Sequence, residues 1–373
     1  MKKEQLRTPC YIIDKNALIH NLEILRYVKQ QSGCKILLAQ KCFSMYSLYP
    51  LIGEYVDGCT ASGLFEAKLG REEMNKENHV FSPAYREDEI DEIIGLCDDI
   101  VFNSFSQLGK YIGKVKSLRK EAGIRINPEF STQKDHELYD PCAEGSRLGV
   151  TLDNFDEAAI TLVDGLHFHT LCEQNSDDLK KTLDVVEEKF GKYLYGMKWI
   201  NFGGGHHITR DDYDLETLIS CIKHFRETYN LDVYLEPGEA FVLNAGSLLT
   251  TVLETGKNGI RLAIVDTSAA CHMPDVLEMP YTPPLKGSGA AYEKEYTYRL
   301  GGPTCLSGDI IGDYSFDHEL ENGEKLEFLD MALYTMVKTN MFNGMNLPDI
   351  VIKDGDEYAL HKTFGYEDFK SRL

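Results

Sequence analysis

The segment KWINFGGGHHITRDDYDLETLISCIKHFRETYNLDVYLEPGEAF, residues 198–241, holds two short apolar runs on either side of an amphipathic one. KWINFGGG (198–205) and DVYLEPG (232–238) read as strands that end in glycine. DLETLISCIKHFRETY (214–229) has apolar residues at helical spacing. Strand, helix, strand in that order predicts two parallel strands joined by a crossover helix. The pattern repeats toward the N-terminus. CKILLAQK (34–41), DGCTAS (57–62), NHVFSP (78–83), DIVFNS (99–104), GIRINPE (123–129) and DGLHFHT (164–170) are six further candidate strands. ALIHNLEILRYVKQ (17–30), LFEAKLGREEM (64–74) and SDDLKKTLDVVEEKF (176–190) are helical between or before them. Eight such units predict an α/β fold with a closed (β/α)₈ barrel, which takes roughly 250 residues.

The pattern changes after residue 245. SLLTTVLETGKNGIRLAIVDTS, EYTYRLGG, DIIGDYSFDHELENGEKLEFLDMALYTMV and IVIKDGDEYALHKTF alternate as short strands, and GKNG and ENGE read as hairpin-type turns. The expected organisation is a barrel over 10–244 and a β-rich domain over 245–373, with residues 1–9 as candidates to join the second. Lys and Arg number 39 against 60 Asp and Glu in 373 residues, a net charge of −21. Nucleic acid is not an expected partner, since phosphate binding needs basic patches. A negative field does suit a small polycationic substrate, although acidity also serves solubility. No apolar run is long enough for a membrane helix, and no apolar stretch follows the basic start MKKEQLRTPCYIID. Ten cysteines are scattered, with no CxxC pair. That suits a reducing cytoplasm.

Polar residues gather at the strand ends: Lys41, Ser62, Ser82, Asn103, Arg125, His169, Gly203 to Gly205 and Glu236. Barrel enzymes build their active sites there. A buried lysine amine at such a place is nucleophilic toward an aldehyde. A carboxylate such as Glu236 can keep a pyridine nitrogen protonated. The glycines bring backbone N–H groups close to a phosphate, and the chain after Gly238 can add more. His167 and His169 share one face of a strand, with His169 nearer the mouth, where it can stack on an aromatic ring. The same pair could instead hold a metal in a barrel hydrolase, with His206 and His207 nearby, but no carboxylate set completes such a site. Cys305, in LGGPTCLSGDIIGDY, is a candidate proton donor, and Tyr334 a candidate phosphate partner. Each of these could alone be a cap, a turn or a core residue.

Together, in this order, they resemble the fold-type III pyridoxal-phosphate (PLP) decarboxylases, which act on ornithine, arginine or diaminopimelate. The resemblance spans nearly the whole chain, from TPCYIID and ALIHNLE onward. LLAQKCFS resembles the cofactor-lysine motif, and implies PLP on Lys41. DGLHFHT resembles the segment of the ring-stacking histidine, His169. WINFGGG resembles the phosphate loop, and YLEPGEAF the motif of the pyridine-nitrogen glutamate, Glu236. GGPTCLSGD resembles the loop whose cysteine acts across a dimer interface, which implies a homodimer with shared active sites, Cys305 and Asp309 among their residues. ALYTMVKTNMFNG resembles the phosphate-tyrosine motif at Tyr334. Arg125 matches an arginine near the cofactor's phenolic oxygen. Two positions depart from the larger family. Leu171 and Cys172 replace a Gly-Ser step, and Glu239 replaces an arginine after EPG. HFHTLCEQ, YLEPGEAF and DGCTASGLFEAKLG are most similar to the branch that decarboxylates carboxynorspermidine and carboxyspermidine in polyamine synthesis. On that resemblance Glu239 and Asp275 are expected to meet substrate ammonium groups, and His272 the substrate carboxylate. A diaminopimelate or basic amino-acid decarboxylase of the same fold is the alternative. A racemase would need a second base that Cys305 does not supply, and the PLP-carrier proteins lack residues like 245–373.

Overall fold

A computed structural model describes residues 1–133 and 140–373. The first strand, β1 (Cys10–Asp14), belongs to the sheet described below. The next eight are β2 (Lys35–Ala39), β3 (Gly58–Ala61), β4 (Glu77–Phe81), β5 (Asp99–Phe102), β6 (Glu121–Arg125), β7 (Gly165–His167), β8 (Trp199–Asn201) and β9 (Asp232–Leu235). They form a closed barrel, with β9 pairing back to β2 through Lys35 and Tyr234. All eight fall on the segments expected to be strands.

The crossover helices form for local reasons. In Leu215–Tyr229 the buried residues Leu218, Ile219, Ile222 and Phe225 recur at three and four. Asp214 caps its start by accepting the Thr217 N–H at 3.0 Å, and left-handed Asn230 ends it. Inside the barrel Trp199 is the largest side chain with essentially no exposure. It fits because Gly123 and Gly165 lack a Cβ: one built there would meet the indole at 2.4 and 2.1 Å. Near the N-terminal strand ends Lys35 pairs with Glu77 at 2.8 Å, and His79 lies 3.0 Å from Asp99. Packing and charge pairs fill that end, so space for a ligand remains at the other.

The second unit is a nine-stranded sheet. It contains β1, β10 (Gly246–Asn258), β11 (Ile260–Val265), β12 (Gly289–Ala290), β13 (Tyr296–Gly301), β14 (Ile310–Phe316), β15 (Lys325–Leu329), β16 (Asp349–Asp354) and β17 (Glu357–Lys362). Their order is β12-β14-β13-β11-β10-β1-β16-β17, and β15 also pairs with β10. Here the expected boundary is corrected. The compact units are Met1–His20 with Val242–Leu373, and Asn21–Phe241. β1 lies antiparallel to β10 and parallel to β16, so the barrel does not begin at residue 10. Tyr11 joins a core with Leu248 and Phe328, while Cys10 and Ile12 pack on Leu249 and Val351. A strand buried on both faces reads as continuously apolar, whichever sheet it enters.

GKNG does close a hairpin, with Asn258 opposite Ile260 and Gly259 at φ +73°. ENGE turns at Gly323 (φ +92°), but it does not join paired strands, because β15 pairs with β10. DMALYTMV is not a strand: β15 ends at Leu329, and Tyr334 has φ +48°. Among the described residues no helix is long and apolar enough to cross a membrane.

Candidate active site

Alternation along the barrel strands turns Lys41, Ser62, Phe81, His167, His169 and Glu236 toward one cavity, which they line with Ala39, Thr60 and Ala61 around about 350 Å³ of space. The Lys41 side chain is exposed to this cavity yet deep within the protein. Burial, with help from the Arg125 charge, pulls its amine below the usual lysine range.

Glu236 is 7% exposed and still ionised. Burial alone would raise its pKa. His167 Nε2 at 3.3 Å and the Asn201 amide at 2.8 Å outweigh burial, and the carboxyl is held at about 2. Burial keeps His167 itself neutral, so it meets Glu236 as an N–H donor. Asn201 also accepts the Gly203 N–H at 2.8 Å, which links the carboxylate to the glycine turn. Sequence reasoning missed Asn201. Its one signal is a lone amide in the apolar run WINF.

His169 accepts the Gly204 N–H at Nδ1, 3.1 Å. Burial and the charges of Lys41 and Arg125 keep it neutral, which leaves a flat, uncharged ring beside the lysine. The Arg125 guanidinium donates to the His169 carbonyl at 2.9 Å and lies over Phe81. Burial lowers its pKa to about 10, so it stays charged at neutral pH. Gly203 and Gly205 need glycine, with φ +70° and +80° and backbone oxygens 2.4 and 1.9 Å from a built Cβ. Gly238 lies against Cys42, the residue after Lys41, where a Cβ would come within 2.6 Å. Glu66 both caps its helix, accepting the Ser62 N–H at 2.6 Å, and feels Lys41; burial raises its pKa. Asn103 holds the 147–149 turn through Arg147 and Gly149.

The metal alternative loses its ligands. His167 serves Glu236 and His169 serves Gly204. Among the described residues no group of three His, Cys, Asp or Glu is placed to hold a metal ion.

Apart from Glu239, the remaining predicted residues lie in the sheet unit. Cys305 is exposed, on a loop fixed by its own N–H to Asn343 (2.8 Å) and by Thr304 donating to Asp309 at 2.7 Å. Asp309 is buried and also accepts the Ala270 N–H at 3.3 Å, so GGPTCLSGD and ALYTMVKTNMFNG meet in one place. One substrate assignment is corrected. His272 is fully buried, with Nδ1 accepting from Ser268 N–H and Nε2 on the Asn346 carbonyl; burial drops its pKa to about 4. It has no nitrogen left for a carboxylate. Asp275 pairs with Lys338, and Glu239 with His207; neither pairing excludes a substrate ammonium group.

This donor set fits PLP: an amine open to a cavity, a buried carboxylate held ionised, a neutral ring and a glycine turn. Residues 10–332 match the family model described as "Pyridoxal-dependent decarboxylase, C-terminal sheet domain". The chain belongs to the pyridoxal-dependent decarboxylases. The decarboxylase is 44% identical to a carboxynorspermidine/carboxyspermidine decarboxylase of Campylobacter jejuni, over 99% of each chain. It is 40% identical to a carboxyaminopropylagmatine decarboxylase of Synechocystis, over 99% of this chain and 96% of that one. A crystal structure of C. jejuni carboxynorspermidine decarboxylase complexed with norspermidine superposes with a TM-score of 0.92 at 42% identity, covering 99% of this chain and all of that one. This decarboxylase therefore uses PLP. When bound, PLP supplies an aldehyde for an amine and a protonated ring that accepts the electrons released with CO₂.

Proposed function

We propose that this cytoplasmic decarboxylase removes the α-carboxylate of carboxynorspermidine or carboxyspermidine, yielding norspermidine or spermidine. The observation that carries this is the match, over 99% of both chains, to a relative with that name. Lys41 is the cofactor lysine, and its lowered pKa leaves the amine free to bond to carbon. Glu236 would accept a hydrogen bond from the ring nitrogen and stabilise its protonated form. His169 would hold the cofactor ring in place, and so orient the bond to be broken. Arg125 would serve the phenolic oxygen. Gly203, Gly204, Gly205 and Gly238 serve the phosphate, and Tyr334 is assigned to the same group. Cys305, supported by Asp309, returns a proton to the substrate carbon. A net charge of −21 favours a polycationic substrate. The test is CO₂ release from PLP-loaded enzyme offered carboxynorspermidine, carboxyspermidine, carboxyaminopropylagmatine, diaminopimelate, ornithine and arginine. The carboxylated triamines are expected to lead in kcat/KM. Preference for diaminopimelate, ornithine or arginine overturns the substrate reading and leaves the fold and cofactor intact.

The Synechocystis relative favours a second reading, carboxyaminopropylagmatine, which ends in a guanidinium in place of an amine. A lead for that compound in the same panel selects it.

The active site is proposed to be shared in a homodimer, with an exposed Cys305 serving the partner's barrel. Lys41→Ala and Cys305→Ala homodimers are each expected to be nearly inactive. Mixing and reassociation at equal amounts should recover about a quarter of wild-type turnover, since half the dimers carry one intact site. No recovery, in a mixture shown by mass to contain heterodimers, rules out sharing.

A further inference from the structure

Phe81, the last residue of β4, turns its ring into the cavity, and two polar groups of the site rest on that ring. The Arg125 guanidinium carbon lies 4.6 Å from its centre. The His167 imidazole stacks on it, with centroids 5.5 Å apart and planes 25° from parallel. Neither group is fixed by hydrogen bonds alone. Among the described residues the Arg125 guanidinium has one, to the His169 carbonyl at 2.9 Å, and no ion pair. A single bond leaves a guanidinium free to pivot about it. His167 reaches Glu236 through a long bond from Nε2, 3.3 Å, and its buried Nδ1 has no partner among the described residues. An imidazole held in that way can turn about its Cβ–Cγ bond unless a second ring lies against it. Phe81 is itself fixed, because it packs on the buried cluster of Leu37, Val101, Trp199 and Tyr234, one layer deeper in the barrel. A flat π face can hold both a guanidinium and a stacked imidazole, whereas an aliphatic side chain of similar size offers neither contact.

We propose that Phe81 is a positioning residue for the decarboxylation: its ring fixes the Arg125 guanidinium and, through His167, the Glu236 carboxylate. Those two groups are the ones assigned above to the phenolic oxygen and the ring nitrogen of PLP. One apolar side chain therefore sets the charge at two separate atoms of the cofactor. Phe81 acts through its neighbours and takes no part in proton transfer. The assignment rests on PLP being the cofactor and on those two roles, and is independent of which carboxylated polyamine is the substrate.

The test compares wild type, Phe81→Leu and Phe81→Tyr, each loaded with PLP. Absorbance of the bound cofactor is followed against pH with no substrate present, and kcat and KM are then measured with the preferred substrate. A wild type that binds no PLP overturns the cofactor reading, and this proposal with it. Phe81→Leu removes the face and keeps the residue apolar. A fixed positive charge beside the phenolic oxygen opposes its protonation, so the midpoint of the absorbance change should rise by about one pH unit in Phe81→Leu. Its kcat should fall about tenfold, and its KM should move by less than about threefold. Phe81→Tyr keeps the face and should retain at least about a third of wild-type kcat. In an Arg125→Gln background Phe81→Leu should cost less than about threefold in kcat, since one group that it positions is already gone. The proposal is overturned by an unmoved midpoint, by equal losses in Phe81→Leu and Phe81→Tyr, by a kcat loss of undiminished size in the Arg125→Gln background, or by a KM rise at constant kcat. If Phe81→Leu does not fold, Phe81→Met, which also lacks the face, takes its place in the same comparison.

Discussion

Lys41→Ala is expected to lower kcat by at least on the order of 10⁴-fold, because the group proposed to bond to the cofactor is lost and no other amine lines the cavity among the described residues. The protein should nevertheless fold. Lys41 makes no ion pair among the described residues, and burial penalises its charged form. Removing it from the apoprotein deletes an uncompensated cost, so the thermal midpoint should stay level or rise at pH 7. The sign follows from linkage. A base whose pKa is lowered in the fold opposes folding fully below the folded pKa, and that opposition fades as pH rises toward the unfolded value. The gain in midpoint from Lys41→Ala should therefore shrink at alkaline pH. Turnover within tenfold of wild type would remove Lys41 from its role. A large drop in midpoint would show that it also holds the fold.

Glu236→Gln is expected to cut kcat by about 10²- to 10⁴-fold, the range for losing a group that controls a proton in the reaction. The amide cannot stabilise a protonated pyridine nitrogen, and its own N–H groups would face the Asn201 and His167 donors. The pH profile separates this from a general loss of structure. A carboxyl held at about 2 stays ionised through the working range, and its contribution to stability, full above the ordinary carboxyl range, is lost progressively as pH falls from there through about 2. The acid limb of the wild-type profile therefore belongs to other groups. Glu236→Gln should lower the whole curve without moving that limb. A rate within threefold of wild type, or a displaced acid limb, would contradict this account.

The convergence of Lys41, His169 and Glu236 on one cavity was legible because each is a polar residue that interrupts an apolar run at a strand end, and eight such ends set out the barrel. The same rule passed over Asn201, because the run WINFGGG reads on past it to the glycines although the strand itself ends there; it acts through a neighbour 35 residues away. Nor could it find the link between His207 and Glu239, since partners 32 residues apart meet only once the barrel closes. His272 was misread because sequence shows a polar side chain and not what satisfies it, here a carbonyl and a serine N–H. β1 was placed in the wrong unit because an apolar strand carries no mark of its partners.

That placement of β1 bears on how the chain emerges during synthesis. Cys10–Asp14 is made long before both its neighbours, Gly246–Asn258 and Asp349–Asp354. At ribosomal speeds of about 5–20 residues per second the first of them follows only after some tens of seconds. Residues 21–241 can close their barrel within that interval, since all eight of its strands are then out. Over the same interval β1 is an apolar strand with both edges open, the condition that invites pairing with other chains. Nascent-chain aggregation and chaperone demand should centre on this segment, and should end when the last strands arrive to cover it.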